Sequence, residues 1–354
     1  MEEGSVMKET FWGRNILVIG GTGTVGRALV EKLMSFQPKV IRIFSRDEFK
    51  QFIMREELGD RDDLRFLLGD VRDKERLNRA MQGIDIVFNL AALKHVPACE
   101  YNPFEAVRTN VMGVQNVVDC AINNNVERVV YTSSDKSISP TNTMGATKLL
   151  AERLMSSADY TRGRARTVFA SARFGNVMGS RGSVIPLFKE QLQRSGYITV
   201  TDPDMTRFMM SLSHAVDLTM EAARLAQGGE IFVLKMPVIR LGDLAELMVE
   251  DFCGKCDYPR DGVEIRPIGL RPGEKMYEEL MTIDEAKSAL ELDNMYVILP
   301  SEAQGRQHFY ANSTKAECRS YSSTREHIID KAALFELLAE EKLLWQYRKQ
   351  VVLR

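Results

Sequence analysis

Ser134, Asp135 and Lys136 are consecutive, and Met144 and Lys148 follow within the next turns of chain. A hydroxyl, a carboxylate and two amines are therefore gathered around one strand end and the helix after it. Adjacent opposite charges at the end of a buried strand are expensive unless solvated or used. An acid beside a base can give one proton while its neighbour takes another. A plain salt bridge or a cap is the structural alternative for this pair. Met144 and Lys148 are four apart on a predicted helix and share a face. Lys148 would raise the local positive potential. Met144 would fill space or touch a substrate, and it reads equally as a core methionine.

A second cluster could hold phosphate. Gly20, Gly23 and Gly26 stand three apart, with Thr22, Thr24 and Val25 between them, after a short apolar run and before an amphipathic one. Glycines let backbone approach a pyrophosphate, and a helix N-terminus favours its charge. The spacing and context point to a dinucleotide, against the alternative of a tight turn. The second strand ends at Ser45-Arg46, 20 residues after Gly26. A guanidinium there suits a 2′-phosphate, so NADP is favoured over NAD, although Asp47 stands next door. Asp70-Val71 follows the third strand, where an adenine would lie. Ala91, Ala92 and Lys94 follow the fourth, on the nicotinamide side.

These residues need a frame. Apolar runs at 15–19, 39–44, 64–68, 84–90, 126–132 and 168–172 read as strands, and 74–82 and 103–123 as helices between them. Such alternation predicts an α/β fold, a Rossmann-type doubly wound parallel sheet with a smaller mixed C-terminal substrate lobe. Every cofactor residue above then falls at a strand's carboxyl end, where such sheets bind ligands. Beyond Asn176 the pattern loosens. Residues 179–183 read as a loop, 185–193, 214–226, 241–251 and 276–280 as helices, 198–201 and 230–234 as strands, and 331–342 as a charged terminal helix. The expected division is 12–180 plus 210–240 for the dinucleotide domain, 181–209 plus 241–320 for the lobe, and 321–354 for a helical tail. Residues 1–13 read as a polar arm.

Composition excludes several classes. The chain has 354 residues, 44% of them hydrophobic, and a net charge of -2. That balance predicts no broad attraction to nucleic acid or an anionic membrane. No apolar run reaches the ~18 residues of a membrane span. Five cysteines form no disulfide framework, and the single C-x-x-C at Cys253 and Cys256 lacks further ligands at zinc spacing, so no metal site is expected. Free thiols suit a reducing, cytoplasmic setting. In the C-terminal half, Asn176, Arg181 and Ser183 lie on or beside a loop at the sheet's edge. Thr206 and Arg207 precede an aromatic, and Arg271 and Glu274 share a Pro-Gly turn. Arginine suits bidentate phosphate contact, although each of these alone reads as a surface turn.

Taken together, these stretches resemble the extended short-chain dehydrogenase/reductase superfamily, and within it the UDP-N-acetylglucosamine 4,6-dehydratases of polysaccharide and capsule biosynthesis. The resemblance runs from about residue 15 to about 323. It is carried by the glycine run at 20–26, Phe-Ser-Arg-Asp-Glu at 44–48, Gly-Asp-Val-Arg-Asp at 69–73, Ala-Ala-Leu-Lys-His-Val-Pro at 91–97, Ser-Ser-Asp-Lys at 133–136, Pro-Thr-Asn-x-Met-Gly-Ala-Thr-Lys at 140–148, Arg-Phe-Gly-Asn-Val at 173–177 and Leu-Arg-Pro-Gly-Glu-Lys at 270–275. The superfamily's Ser/Thr–Tyr–Lys triad falls on Ser134, Met144 and Lys148, so this chain resembles the subgroup with methionine in place of tyrosine and the soluble short form without membrane helices. The resemblance implies a UDP-sugar such as UDP-GlcNAc as substrate, with Lys94, His95, Asn176, Arg181, Ser183, Thr206, Arg207, Arg271 and Glu274 binding it. It also implies a homo-oligomer assembled beside the Lys148 helix.

The implied reaction oxidises C4, eliminates water across C5 and C6, and returns the hydride to C6. Asp135 would protonate the leaving C6 hydroxyl and Lys136 would take the C5 proton. A free lysine titrates near about 10.4, so burial and neighbouring cations must lower it. An Asp135–Lys136 ion pair would push both groups the wrong way, which requires the two not to pair directly with substrate bound. Lacking a phenol, the C4 proton would go to Asp135, to a water on Ser134, or to Lys148, with Asp135 preferred. A UDP-sugar 4-epimerase and a non-catalytic NADP-sensing protein are the competing readings. The first leaves Asp135-Lys136 unexplained, and the second rests on Met144.

Overall fold

The computed structural model describes residues 3–256, 258–300, 306–310 and 312–346. Positions 1–2 of the expected arm, 257, 301–305 and 311 of the expected lobe, and 347–354 of the expected tail lie outside them. The chain divides into two units: Met1–Phe174, Val216–Lys235 and Met281–Ser320 form the first, and Gly175–Ala215, Met236–Leu280 and Tyr321–Arg354 the second.

The first unit is built on β1 (Asn15–Ile19), β2 (Val40–Ser45), β3 (Leu64–Leu68), β4 (Ile86–Asn89), β5 (Arg128–Ser134) and β6 (Val168–Phe174). They pair in parallel in the order β3-β2-β1-β4-β5-β6, and strand Ile231–Leu234 continues the parallel run beyond β6. The order reverses beside β1, which places a ligand crevice at the carboxyl ends of β1 and β4. Its helices are α1 (Glu3–Phe11), α2 (Thr24–Met34), α3 (Glu48–Leu58), α4 (Lys74–Met81), α5 (Val96–Tyr101), α6 (Pro103–Ala106), α7 (Gly113–Asn123) and α8 (Thr143–Thr161). Strands covered on both faces read as continuous apolar runs, and β1 is buried from Ile16 to Ile19. One core face joins Leu17, Val87, Val129 and Tyr131 to Leu77, Val117 and Met155.

Three expectations change here. The arm at 1–13 is largely helix, because Phe11 is fully buried and packs on Phe36 and Phe88. The helix expected at 103–123 is interrupted by a π-helical turn, Val107–Met112, which buries Thr109 and Asn110. Residues 281–320, assigned to the lobe from sequence, belong to the first unit. Met295–Ile298 pairs antiparallel with Ile231–Leu234, and Ala289–Glu291 and Thr314–Lys315 extend the same ten-stranded sheet to its edge.

The second unit has its own core, in which Phe188, Leu192, Leu244, Met248, Phe252, Leu334 and Leu338 are buried. Strands Asn176–Val177, Thr206–Met210 and Val238–Arg240 form one small sheet, and Tyr197–Val200 pairs with Glu264–Pro267 in another. The tail is part of this unit: Ser323 N donates to Glu278 O and Ile329 N to Val238 O, both at 2.9 Å. The helix expected at 276–280 is absent. The Pro272-Gly273 turn precedes it, and the chain runs into strand Glu279–Met281, with Leu280 buried.

Candidate active site

The loop after β1 is shaped by its glycines. Gly20 has φ 80° and donates its N–H to Phe44 O at 2.8 Å. A Cβ on it would lie 3.0 Å from Ala91 N, so only glycine allows the β1 and β4 loops this close. A Cβ on Gly26 would collide with Gly20 O and lie 2.8 Å from Gly21 Cα. The N-cap of α2 is Gly23, which has no side chain to cap the helix, and no acidic residue occupies the first turn. Thr22 is half-buried and Gly23 exposed beside it. A helix N-terminus with neither a side-chain cap nor an acidic first turn fits a pyrophosphate.

The neighbouring strand ends support the same ligand. Gln51 Nε2 donates to Ser45 O and Oγ, both at 3.1 Å, and to Leu67 O at 3.0 Å, fixing the end of β2. Arg46 is exposed and lies 3.8 Å from Asp70 Oδ2. Asp47 is turned into the cap of α3, accepting from Lys50 N at 3.0 Å and pairing with the Lys50 amine. Burial works to raise the Asp70 carboxyl, but the side-chain and backbone hydrogen bonds of Arg72 and the Arg46 charge hold it below its usual value. Val71 is turned into the core, and its carbonyl accepts from Asn116 Nδ2 at 2.8 Å, so its side chain is not open to a ligand. After β4, Asn110 grips the loop: its Oδ1 accepts from Leu93 N at 2.7 Å and its Nδ2 donates to Leu93 O at 3.0 Å. Ala91 and Ala92 are half-buried, and Lys94 and His95 exposed.

β5 carries Ser134 as its last residue, and Asp135–Ser137 form a 3-10 turn immediately after. Ser134 Oγ donates to Asp135 Oδ1 at 2.7 Å, and Lys136 Nζ donates to Asp135 Oδ2 at 2.8 Å. The carboxylate is 4% exposed and the amine 33%. The direct pair that the sequence reading set aside for the substrate-bound state is therefore formed in this structure. α8 packs onto the turn at Gly145, where any Cβ would collide with Lys136 O. Asn142 caps the helix, accepting from Gly145 N at 2.9 Å.

Met144 and Lys148 share a face of α8 but differ in role. Met144 is buried against Cys99, Ala106, Leu93 and Val96. Lys148 Nζ donates to Thr132 O at 2.8 Å and stands 4.7 Å over the Tyr131 ring. Burial lowers its pKa from 10.5 to about 8, with Glu152 pulling the other way. Sequence reasoning missed Glu152, Ser137, Asn110 and Arg173, all buried. The signal available for Asn110 was a polar residue on the inward side of an apolar helix.

In the second unit a residue not singled out from sequence organises the expected set. Glu278 is buried, and its two oxygens accept from Asn176 Nδ2 at 2.8 Å. It also pairs with Arg207 Nε at 3.2 Å and accepts from Phe208 N at 3.1 Å. Arg207 also donates to Thr206 O and Lys275 O, which ties it to the 271–275 turn. Thr206 is buried and bonds to Ser323 Oγ at 2.9 Å, so its hydroxyl serves the fold. Glu274 closes its own turn by accepting from Arg271 N at 3.1 Å, leaving the Arg271 side chain exposed. Arg181 is exposed on the loop before helix α9 (Val184–Ser195), and Ser183 is its N-cap residue, its buried hydroxyl without a hydrogen-bond partner. Among the described residues no three or more His, Cys, Asp or Glu side chains are grouped to hold a metal ion, and no helix is long and apolar enough to cross a membrane.

The profile of one protein family, described as polysaccharide biosynthesis protein, matches residues 16–300. A UDP-N-acetylglucosamine 4,6-dehydratase (inverting) of Campylobacter jejuni subsp. jejuni serotype O:23/36 is 41% identical over 293 residues, covering 82% of this chain and 84% of the relative. A UDP-glucose 4-epimerase of Rickettsia felis is 43% identical over 292 residues, covering 81% and 83%. Among solved structures, Pen from Bacillus thuringiensis superposes with a TM-score of 0.88 at 50% identity, over 94% of this chain and 99% of that one.

Proposed function

The chain belongs to the polysaccharide biosynthesis protein family, and from that premise we propose that it is an NADP-dependent 4,6-dehydratase acting on UDP-N-acetylglucosamine or a close UDP-sugar. One observation carries the choice of reaction: Ser134, Asp135 and Lys136 are hydrogen-bonded to one another at the tip of β5. Epimerisation at C4 has no use for an acid and base aimed at C5 and C6. Elimination of water needs both.

NADP, when bound, supplies a hydride acceptor for C4 and a donor for C6. The first unit's residues fit it: an N-terminus of α2 without a side-chain cap, glycines at each close approach, and Arg46 for a 2′-phosphate while Asp47 is engaged in capping. The pair at 135 and 136 then resolves the difficulty its sequence posed. Moving one proton across the 2.8 Å contact from Lys136 Nζ to Asp135 Oδ2 creates a neutral acid and a neutral amine together. Asp135 gives that proton to the departing C6 hydroxyl, and Lys136 takes the C5 proton. The ion pair is restored when the water leaves. The proton lost from the C4 hydroxyl passes to a water on Ser134 or towards Lys148. This assignment keeps Asp135 for the C6 step in place of the C4 step, because the proton it delivers there comes from Lys136. Met144 takes no part, being enclosed by apolar side chains. The C4 proton lost and the C5 proton regained balance, so only water is released.

Asn176, Arg181, Ser183, Arg207 and Arg271 are assigned to the nucleotide sugar by resemblance, with Thr206 and Glu274 contributing through the backbone they hold. Five free cysteines and no membrane-length helix among the described residues support a cytoplasmic enzyme. A homo-oligomer is supported by Tyr101, Phe104, Met112 and Leu150, apolar side chains exposed around α5 to α8.

Mass analysis of UDP-GlcNAc incubated with the protein and NADP tests the reading. The expected product is lighter by one water. Asp135→Asn and Lys136→Ala should each abolish it while NADPH fluorescence still reports binding. An isomer of unchanged mass would establish the epimerase reading, which the Rickettsia relative favours, and no conversion at all would favour a cofactor-sensing protein.

A further inference from the structure

The most deeply buried charges beside the catalytic turn are unused in that scheme. Arg173, on β6, is fully buried. Its Nε donates to Glu152 Oε2 at 3.1 Å, its Nη2 also reaches Glu152, and Nη1 and Nη2 donate to Glu285 at 3.1 and 2.9 Å. Glu152 lies on α8 one turn beyond Lys148 and is 1% exposed. Its Oε2 is 3.3 Å from the Ser137 hydroxyl, which donates to the Ser134 carbonyl at 2.7 Å. A continuous set of contacts therefore runs from Glu285 through Arg173, Glu152 and Ser137 to the residue before Asp135.

Buried ion pairs add little net stability over apolar packing, so their burial here invites a second role. The turn they reach is held weakly by its own backbone. It is three residues long, closed by Ile138 N donating to Asp135 O at 3.1 Å. From the side of α8, Gly145 packs against Lys136 O and Glu152 reaches the Ser137 hydroxyl.

We infer that Ser137 and Glu152 are positioning residues of the dehydration: they hold the Asp135–Lys136 turn against α8 at the angle the C5 proton transfer needs. This rests on the dehydratase reading. A displacement of about an ångström at a reacting group costs up to about a hundredfold in rate. Ser137→Ala removes the link and leaves the Glu152–Arg173 pair intact, whereas Glu152→Gln weakens both.

The test compares wild type with Ser137→Ala and Glu152→Gln on UDP-GlcNAc and on UDP-GlcNAc deuterated at C5. In Ser137→Ala, kcat should fall roughly ten- to a hundredfold with KM and NADPH affinity unchanged, and the C5 isotope effect on kcat should rise above wild type. Glu152→Gln should do the same; where it fails to fold, Ser137→Ala decides alone. Unchanged kcat in Ser137→Ala, or a fall in kcat with an unaltered isotope effect, overturns the inference by making the contacts merely structural. Wild type that removes no water from UDP-GlcNAc overturns the dehydratase reading, and the inference with it.

Discussion

At Lys148, burial and charge pull in opposite directions, and burial wins. Its folded pKa is about 8 against an ordinary 10.5. Below pH 8 the amine is charged whether folded or not, and the cost of burying that charge is present in full. Between about 8 and 10.5 the folded protein releases the proton first, so stability rises with pH across that window, by about 3 kcal/mol in all. Denaturant melts of wild type and Lys148→Met at about pH 7 and about pH 10 should show that rise in wild type only. Equal slopes would show that the amine is not desolvated. The chemistry of Lys148 was legible in the sequence because its type and its spacing from Ser134 are distinctive. Its pKa was not, since that depends on burial and on Glu152, both of which only the folded chain creates. The Asp135–Lys136 pair shows the same limit. Adjacency announced a carboxylate beside an amine, but it could not say that Ser134 would hold one carboxylate oxygen and Lys136 the other.

Elements built on local pattern were the readable ones. β1 falls at the expected residues because parallel interior strands are unbroken apolar runs. The glycine turn was legible for a steric reason that can be checked. Gly26→Ala places a methyl against Gly20 O and Gly21 Cα, so the turn must open. The expected result is loss of NADPH binding, followed by fluorescence, with a stability loss of about 1–3 kcal/mol in a thermal melt. Retained affinity would remove the turn from the cofactor site. Elements defined by distant partners were not readable. The π-helical turn exists where Asn110 reaches back to Leu93, and residues 276–280 are pulled out of a helix by Glu278 facing Asn176 and Arg207. A window of local sequence contains neither partner.

The expected domain limits failed at the scale of the molecule for the same reason: strand pairing, not chain order, assigns 281–320 to the sheet and 321 onward to the second unit. Arg173 is central to that outcome, joining β6 to α8 and to Glu285 in the returning segment. Burial opposes its charge, but Glu152 and Glu285 keep it firmly protonated. Arg173→Leu should cost about 3–5 kcal/mol near neutral pH by stranding two carboxylates, measured by urea unfolding. The loss should shrink as the pH falls and Glu285, whose carboxyl, despite burial, Arg173 holds below its usual value, takes up a proton. A loss below about 1 kcal/mol would mean that water reaches the cluster. The returning segment also finishes one side of the sheet with Thr314–Lys315, two exposed residues paired only to Ala289–Glu291. So short and polar a border offers an incoming strand almost no ladder to grasp on that side of the sheet.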